Sequence, residues 1–141
     1  MIKLLLVCLI ACPFIVVQAC QLPSTLAERQ LYIVVDQFYT PDNPKAGKVT
    51  LLQFFKNGIE QITLMNNQVS EGTYQYELLA SNVALLSYQL THGAEWTISK
   101  LLLACDTSIK GKFIYSQTKG SVKPNIRQNT GSFIMLKQPK F

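Results

Sequence analysis

From residue 31 onward the chain alternates. In Gly72-Thr73-Tyr74-Gln75-Tyr76-Glu77-Leu78 the aromatic and apolar side chains fall on every second residue, the period that sends successive side chains to opposite faces of a strand. Gly111-Lys112-Phe113-Ile114-Tyr115 and Gly131-Ser132-Phe133-Ile134-Met135 repeat the plan, so a Gly-x-aromatic-x-(aromatic or Met) unit occurs three times. A glycine at a strand start relieves a bend or bulge, and the large side chains two and four positions later then point one way. Apolar runs bounded by turn residues predict eight strands, at about 31–38, 48–55, 59–65, 72–79, 83–90, 95–103, 110–116 and 130–137. Leu31–Val35 and Leu101–Ala104 are apolar on both faces, which fits either a strand covered on both sides or a stretch of helix.

The breaks between these runs carry turn chemistry. Thr40-Pro41-Asp42-Asn43-Pro44 is a loop, since two prolines and Asx residues suit a turn and not a central strand. Asn57-Gly58 is the strongest hairpin signal, and both residues tolerate the positive φ of a type I′ turn. Ser81-Asn82 and His92-Gly93 mark two further reversals, and Gly120 to Asn129 reads as a long, basic, Pro-containing loop. Short antiparallel strands with no evident helix imply a closed up-and-down β-barrel of about eight strands, with a β-sandwich as the alternative. A barrel of that size is either packed with side chains or holds one small ligand.

The start of the chain follows a different pattern. Met-Ile-Lys precedes an apolar run from Leu4 to Val17, followed by Gln18-Ala19. A basic start, an apolar centre and a small residue before the cut make a secretory signal peptide over residues 1–19. The run is too short for a spanning helix, which needs about 20 residues. Residues 20–30 then form a polar lead or tether, and 31–141 the barrel domain. Val17-Gln18-Ala19-Cys20 also resembles a bacterial lipobox, which implies a lipid thioether on Cys20 and a cell-envelope lipoprotein. Of the four cysteines, Cys8 and Cys12 leave with the signal. The remaining pair offers two outcomes that exclude each other. Either Cys20 is acylated and Cys105 is a lone core thiol, or Cys20 and Cys105 form a disulfide in an oxidising compartment.

The motifs Ser70-Glu71-Gly72-Thr73-Tyr74-Gln75-Tyr76, Ser81-Asn82-Val83-Ala84-Leu85-Leu86, Gly111-Lys112-Phe113 and Gln128-Asn129-Thr130-Gly131-Ser132-Phe133 together resemble a bacterial exported domain of calycin-type, lipocalin-like barrel form. The likeness spans about residues 47–137 and brings no catalytic residue with it. The Gly-x-Trp of a lipocalin first strand is absent, and Trp96 lies mid-chain.

Charge changes the picture at one end. The whole chain carries a net +5, and removal of Lys3 with the signal leaves 12 basic and 8 acidic residues. Seven of the basic residues, and no acidic one, fall between Thr107 and Phe141. Lys110, Lys112, Lys119, Lys123 and Arg127 are therefore a candidate basic face, either a solvated surface or one turned to anionic lipid or another polyanion. Nucleic acid is a poor partner for an exported chain. Catalysis finds little support. His92 is the single histidine and sits at a turn, no pair of carboxylates stands out, and no phosphate loop or metal-ligand spacing is present. Tyr74, Tyr76, Phe113, Tyr115 and Phe133 share one face and either fill the core or line a cavity. The expectation is an exported, non-enzymatic, cofactor-free envelope lipoprotein that binds a small apolar ligand or a protein partner. The alternative is a periplasmic or secreted inhibitor that acts through its loops or its basic C-terminal face.

Overall fold

A computed structural model describes residues 20–120 and 123–139, so the signal peptide expected over residues 1–19 lies outside the described residues. Among the described residues the chain forms β1 (Arg29–Val35), β2 (Val49–Phe54), β3 (Ile59–Thr63), β4 (Gln68–Ala80), β5 (Val83–His92), β6 (Glu95–Cys105), β7 (Lys110–Lys119) and β8 (Arg127–Lys137). Each strand pairs antiparallel with the next, and β8 returns to β1 with Ile33 opposite Phe133. The result is a single closed eight-stranded barrel in up-and-down order, consistent with a calycin-like fold. Closure leaves no strand edge open to pair with another chain.

The eight expected strands are all present, and the departures are physical. β4 begins at Gln68 and β8 at Arg127, several residues earlier than the apolar pattern alone indicates. Both ladders run on through polar residues because the inward positions at that end of the barrel are themselves polar. Asn129 thus belongs to β8 rather than to a loop. Leu101–Ala104 is strand, with Leu101 and Leu103 fully buried inside and Leu102 exposed outside. The Asn57-Gly58 reversal joins β2 to β3, but neither residue has a positive φ, so the turn is not type I′. Gly58 serves close approach instead, since a Cβ there would lie 3.2 Å from the carbonyl oxygen of Gly72.

Two of the three Gly-x-aromatic units, those on β7 and β8, share a purpose, whereas Gly72 on β4 lies against the backbone of Gln89. Gly111 faces Phe133 across β7 and β8, and Phe113 faces Gly131 one step along. A Cβ on Gly111 would meet the Phe133 ring at 2.6 Å, and one on Gly131 the Phe113 ring at 2.6 Å and the Val34 carbonyl oxygen at 2.2 Å. Each glycine is thus the floor on which the neighbouring strand's aromatic ring lies. Backbone cannot yield as a flexible side chain can. Gly131→Val is therefore expected to lower stability by about 3 kcal/mol or more, read as a fall in the urea midpoint. Gly93→Asn, in the β5–β6 turn at φ +63° with open space around it, is expected to cost less than about 1 kcal/mol.

The core fills the end of the barrel where β1, β3, β5 and β7 begin. Leu31, Leu52, Phe54, Ile59, Ala84, Leu86, Leu101, Leu103, Phe113, Phe133 and Met135 are buried there. The lead from Cys20 to Glu28 is no free tether, for it plugs this end. Leu26 is completely buried and Leu22 nearly so. The Leu22 amide donates to the Ser81 carbonyl at 2.8 Å, and the Tyr76 hydroxyl donates to the Pro23 carbonyl at 3.0 Å. A disulfide joins Cys20 to Cys105 at the end of β6. Among the described residues the barrel therefore opens at its opposite end, under the β1–β2, β3–β4, β5–β6 and β7–β8 connections.

Candidate functional site

Along each long strand the inward-facing side chains change from apolar at the plugged end to polar at the open end. β5 places Ala84, Leu86, Tyr88, Leu90 and His92 inward, and β6 Cys105, Leu103, Leu101, Ser99 and Thr97. β7 contributes Gly111, Phe113, Tyr115 and Gln117, and β8 Met135, Phe133, Gly131, Asn129 and Arg127. The polar ends line a chamber of about 240 Å³, together with Lys45, Lys48, Thr50, Gln61 and Ser70. That is smaller than the roughly 300–1,000 Å³ of pockets for drug-sized ligands.

The chamber is cationic. Arg127 is only 5% exposed, and its Nε, Nη1 and Nη2 have no hydrogen-bond partner among the described residues. Its guanidinium lies 5.9 Å from the centre of the Tyr115 ring. Lys45, carried on the β1–β2 loop, faces the same space, and its pKa is lowered to about 8, first by burial and then by the charges of Arg127 and Lys48. No carboxylate lines the chamber among the described residues. Asp36, Asp42, Glu71 and Glu95 are near this end, but all four are exposed. A buried guanidinium ordinarily has a bidentate partner, and this one faces a second cation instead.

Neutral hydrogen bonds hold the chamber in shape. The Tyr115 hydroxyl donates to Gln117 Oε1 at 2.8 Å and lies 2.9 Å from Ser99 Oγ. Gln117 Nε2 donates to the Asn125 carbonyl at 2.9 Å and so fixes the β7–β8 loop. Buried Asn43 pins the β1–β2 loop, donating to the Asp36 and Phe38 carbonyls and accepting from Asn129 Nδ2. Asn129 Oδ1 remains buried without a donor. His92 Nδ1 and Ser70 Oγ are 2.7 Å apart. The His92 pKa is lowered by burial and then by Lys45, against an opposing effect of Glu95. No third group orients the ring as a catalytic triad requires, among the described residues.

The residues singled out from sequence part company here. Phe113 and Phe133 are core. Tyr74 packs edge-on against Phe54, with ring centres 5.1 Å apart, and donates to the Phe55 carbonyl, while Tyr76 secures the plug. Only Phe113 and Tyr115 touch a void, of about 40 Å³. It has room for a water or two and not for an apolar ligand. The five basic residues do not form one face. Lys110 and Lys112 are exposed on β7 at the plugged end, Lys119 and Lys123 are exposed at the open end, and Arg127 points inside. Lys119 Nζ sits 4.6 Å over the Trp96 ring. Cys20 and Cys105 take the disulfide outcome, so in this state Cys20 has no thiol for a lipid thioether. Sequence reasoning missed Lys45, Lys48 and the inward aim of Arg127. The signal was the parity of β8, since stepping back by twos from Phe133 passes Gly131 and Asn129 and reaches Arg127.

Fold and chamber together define a closed antiparallel β-barrel, plugged at one end, with a cationic pocket at the other. Compared with protein-family models, curated proteins and solved structures, the chain has no match.

Proposed function

We propose that this chain is an exported, non-enzymatic binding protein whose open barrel end takes a small anionic group, a carboxylate or a phosphate. The observation that carries the reading is Arg127, a buried guanidinium with three unpaired nitrogens beside a second, half-buried cation, Lys45. Holding such a charge out of water costs several kcal/mol unless a counter-charge meets it. An oxyanion in the chamber supplies that counter-charge and fits the guanidinium fork. The leader over residues 1–19 and the Cys20–Cys105 pairing support export to an oxidising compartment.

The test is calorimetric titration with inorganic phosphate and with short carboxylates. Saturable one-to-one binding that weakens with salt is expected, and no heat with any of them would end the reading. Binding should also depend on pH. Lys45 faces Arg127, Lys48 and His92 across the chamber, with Glu95 near His92. Its folded pKa of about 8 lies below the ordinary 10.5, so the unfolded chain binds more protons between those values. Stability of the ligand-free protein should therefore rise as pH climbs from about 8 toward 10.5. Anion affinity should fall over the same window, as Lys45 loses its charge. Chemical denaturation and titration at stepped pH read the two trends, which run in opposite directions.

A further inference from the structure

The open end is unusual outside as well as inside. Phe38 is 78% exposed, Tyr39 71%, Met65 77% and Ile126 75%. These are the most exposed large apolar side chains among the described residues, and all four lie in loops at the open end. Trp96 and Leu64, also exposed, lie there too. The β1–β2 and β7–β8 loops adjoin, with Pro41 and Asp42 against Lys123, Pro124 and Ile126. Lys119 and Lys123 in turn adjoin Trp96. The cationic chamber is therefore ringed by apolar and aromatic loop tips, with Lys119 and Lys123 and the exposed carboxylates Asp42 and Glu95 between them. At the plugged end the exposed apolar residues are less exposed, Leu79 at 53% being the highest.

A cluster of exposed apolar side chains marks an interaction surface. A rim of aromatic and aliphatic tips with interspersed lysines matches the boundary of a bilayer. There apolar side chains enter the acyl region, aromatic rings and lysines sit at headgroup level, and anionic headgroups attract the cations. We propose that the open end docks on a membrane surface containing anionic phospholipid, and that the chamber receives the phosphate of one headgroup. Two features argue for this partner over a protein. The apolar groups sit on separate loop tips around a hole, a poor match for a continuous protein core but one that lipid can fill. The buried Arg127, without a hydrogen-bond partner among the described residues, lines the chamber beneath that opening, where an anionic headgroup supplies its missing counter-charge. The inference rests on the anion reading and names the source of the anion.

The test is vesicle flotation of the disulfide-bonded protein with phosphatidylcholine vesicles, alone or mixed with phosphatidylglycerol, beside calorimetry with soluble glycerol phosphate. Three proteins are compared: the unaltered chain, a rim variant (Phe38→Ser, Tyr39→Ser, Ile126→Ser) and Arg127→Met. The unaltered chain should float with the mixed vesicles at least tenfold more than with phosphatidylcholine alone. The rim variant should lose that partitioning while binding glycerol phosphate unchanged. Arg127→Met should lose the preference for phosphatidylglycerol together with glycerol phosphate binding. Glycerol phosphate binding without flotation would overturn membrane docking and leave the anion reading standing, whereas loss of both would end both. Flotation indifferent to the rim substitutions, or a phosphatidylglycerol preference kept by Arg127→Met, would also overturn the proposal. So would a concentration-dependent dimer abolished by the rim substitutions in a protein that does not float.

Discussion

Arg127→Met is expected to make the ligand-free barrel more stable and unable to hold an anion. The reason is the absence of any hydrogen-bond partner for the guanidinium among the described residues, although it does lie 5.9 Å from the centre of the Tyr115 ring, a favourable contact. A buried ion pair replaced by apolar groups is neutral or gains up to about 4 kcal/mol. Here no pair is lost, only an uncompensated charge. Methionine fills similar space with a flexible, apolar chain against the Tyr115 ring, and its arrival also relieves the repulsion on Lys45. A gain of about 2–4 kcal/mol is expected, seen as a higher denaturant midpoint at unchanged slope. Phosphate affinity should fall by about 30-fold to several thousand-fold, the range for truncating one member of a buried charge pair. Saturating phosphate should raise the melting temperature of the unaltered chain and leave that of Arg127→Met where it was. Arg127→Lys separates charge from geometry, because lysine keeps the charge and loses the fork. Intermediate affinity is expected from it. A large loss of stability in Arg127→Met would mean that the guanidinium braces the fold, and the anion reading would lose its support.

Strand count, strand order and the closed barrel were legible because alternation survives any choice of register. Tyr74 and Tyr76, or Phe113 and Tyr115, share a face wherever the strand begins. What those rings face was less legible. The units Gly111-x-Phe113 and Gly131-x-Phe133 read as bends, and only the cross-strand register reveals each ring lying on the opposite glycine. Gly58 read as a source of positive φ, and it is held instead by the carbonyl of Gly72, a residue 14 positions on in the chain. The site was hidden for a related reason. Arg127 stands in a run of basic residues that reads as a solvated face, and the polar stretch around Asn129 masks the start of β8. Lys45 is on a loop, where parity carries no information, and its burial follows from Asn43 pinning that loop across the opening. Long-range packing decides such positions, and one strand's pattern does not contain it.

Reduction of the Cys20–Cys105 disulfide should destabilise the barrel more than any single core truncation, and from the end opposite the site. The bond spans 85 residues. In the chain-entropy account a loop of that size restricts the unfolded chain by about 4–5 kcal/mol, a large part of the 5–15 kcal/mol typical of a domain. Apart from its continuation into β1, no other cross-link among the described residues holds the segment carrying Leu22 and Leu26 in the plugged end, so loss of the bond also lets the plug fray and admits water beside Leu31, Phe54 and Met135. Cys105→Ser in place of reductant should give the same loss of stability, on the order of 15 °C in melting temperature. It should leave anion affinity nearly unchanged, because the chamber is built from the far ends of the strands. Intact mass before and after reductant supplies the chemical control: a gain of two hydrogens identifies the bond, whereas a diacylglycerol-sized excess unmoved by reductant would place a lipid on Cys20 and exclude it. If Cys105→Ser weakened phosphate binding as strongly as Arg127→Met does, plug and chamber would be one cooperative unit, and the division of the barrel into a sealed apolar base and an independent cationic mouth would fail.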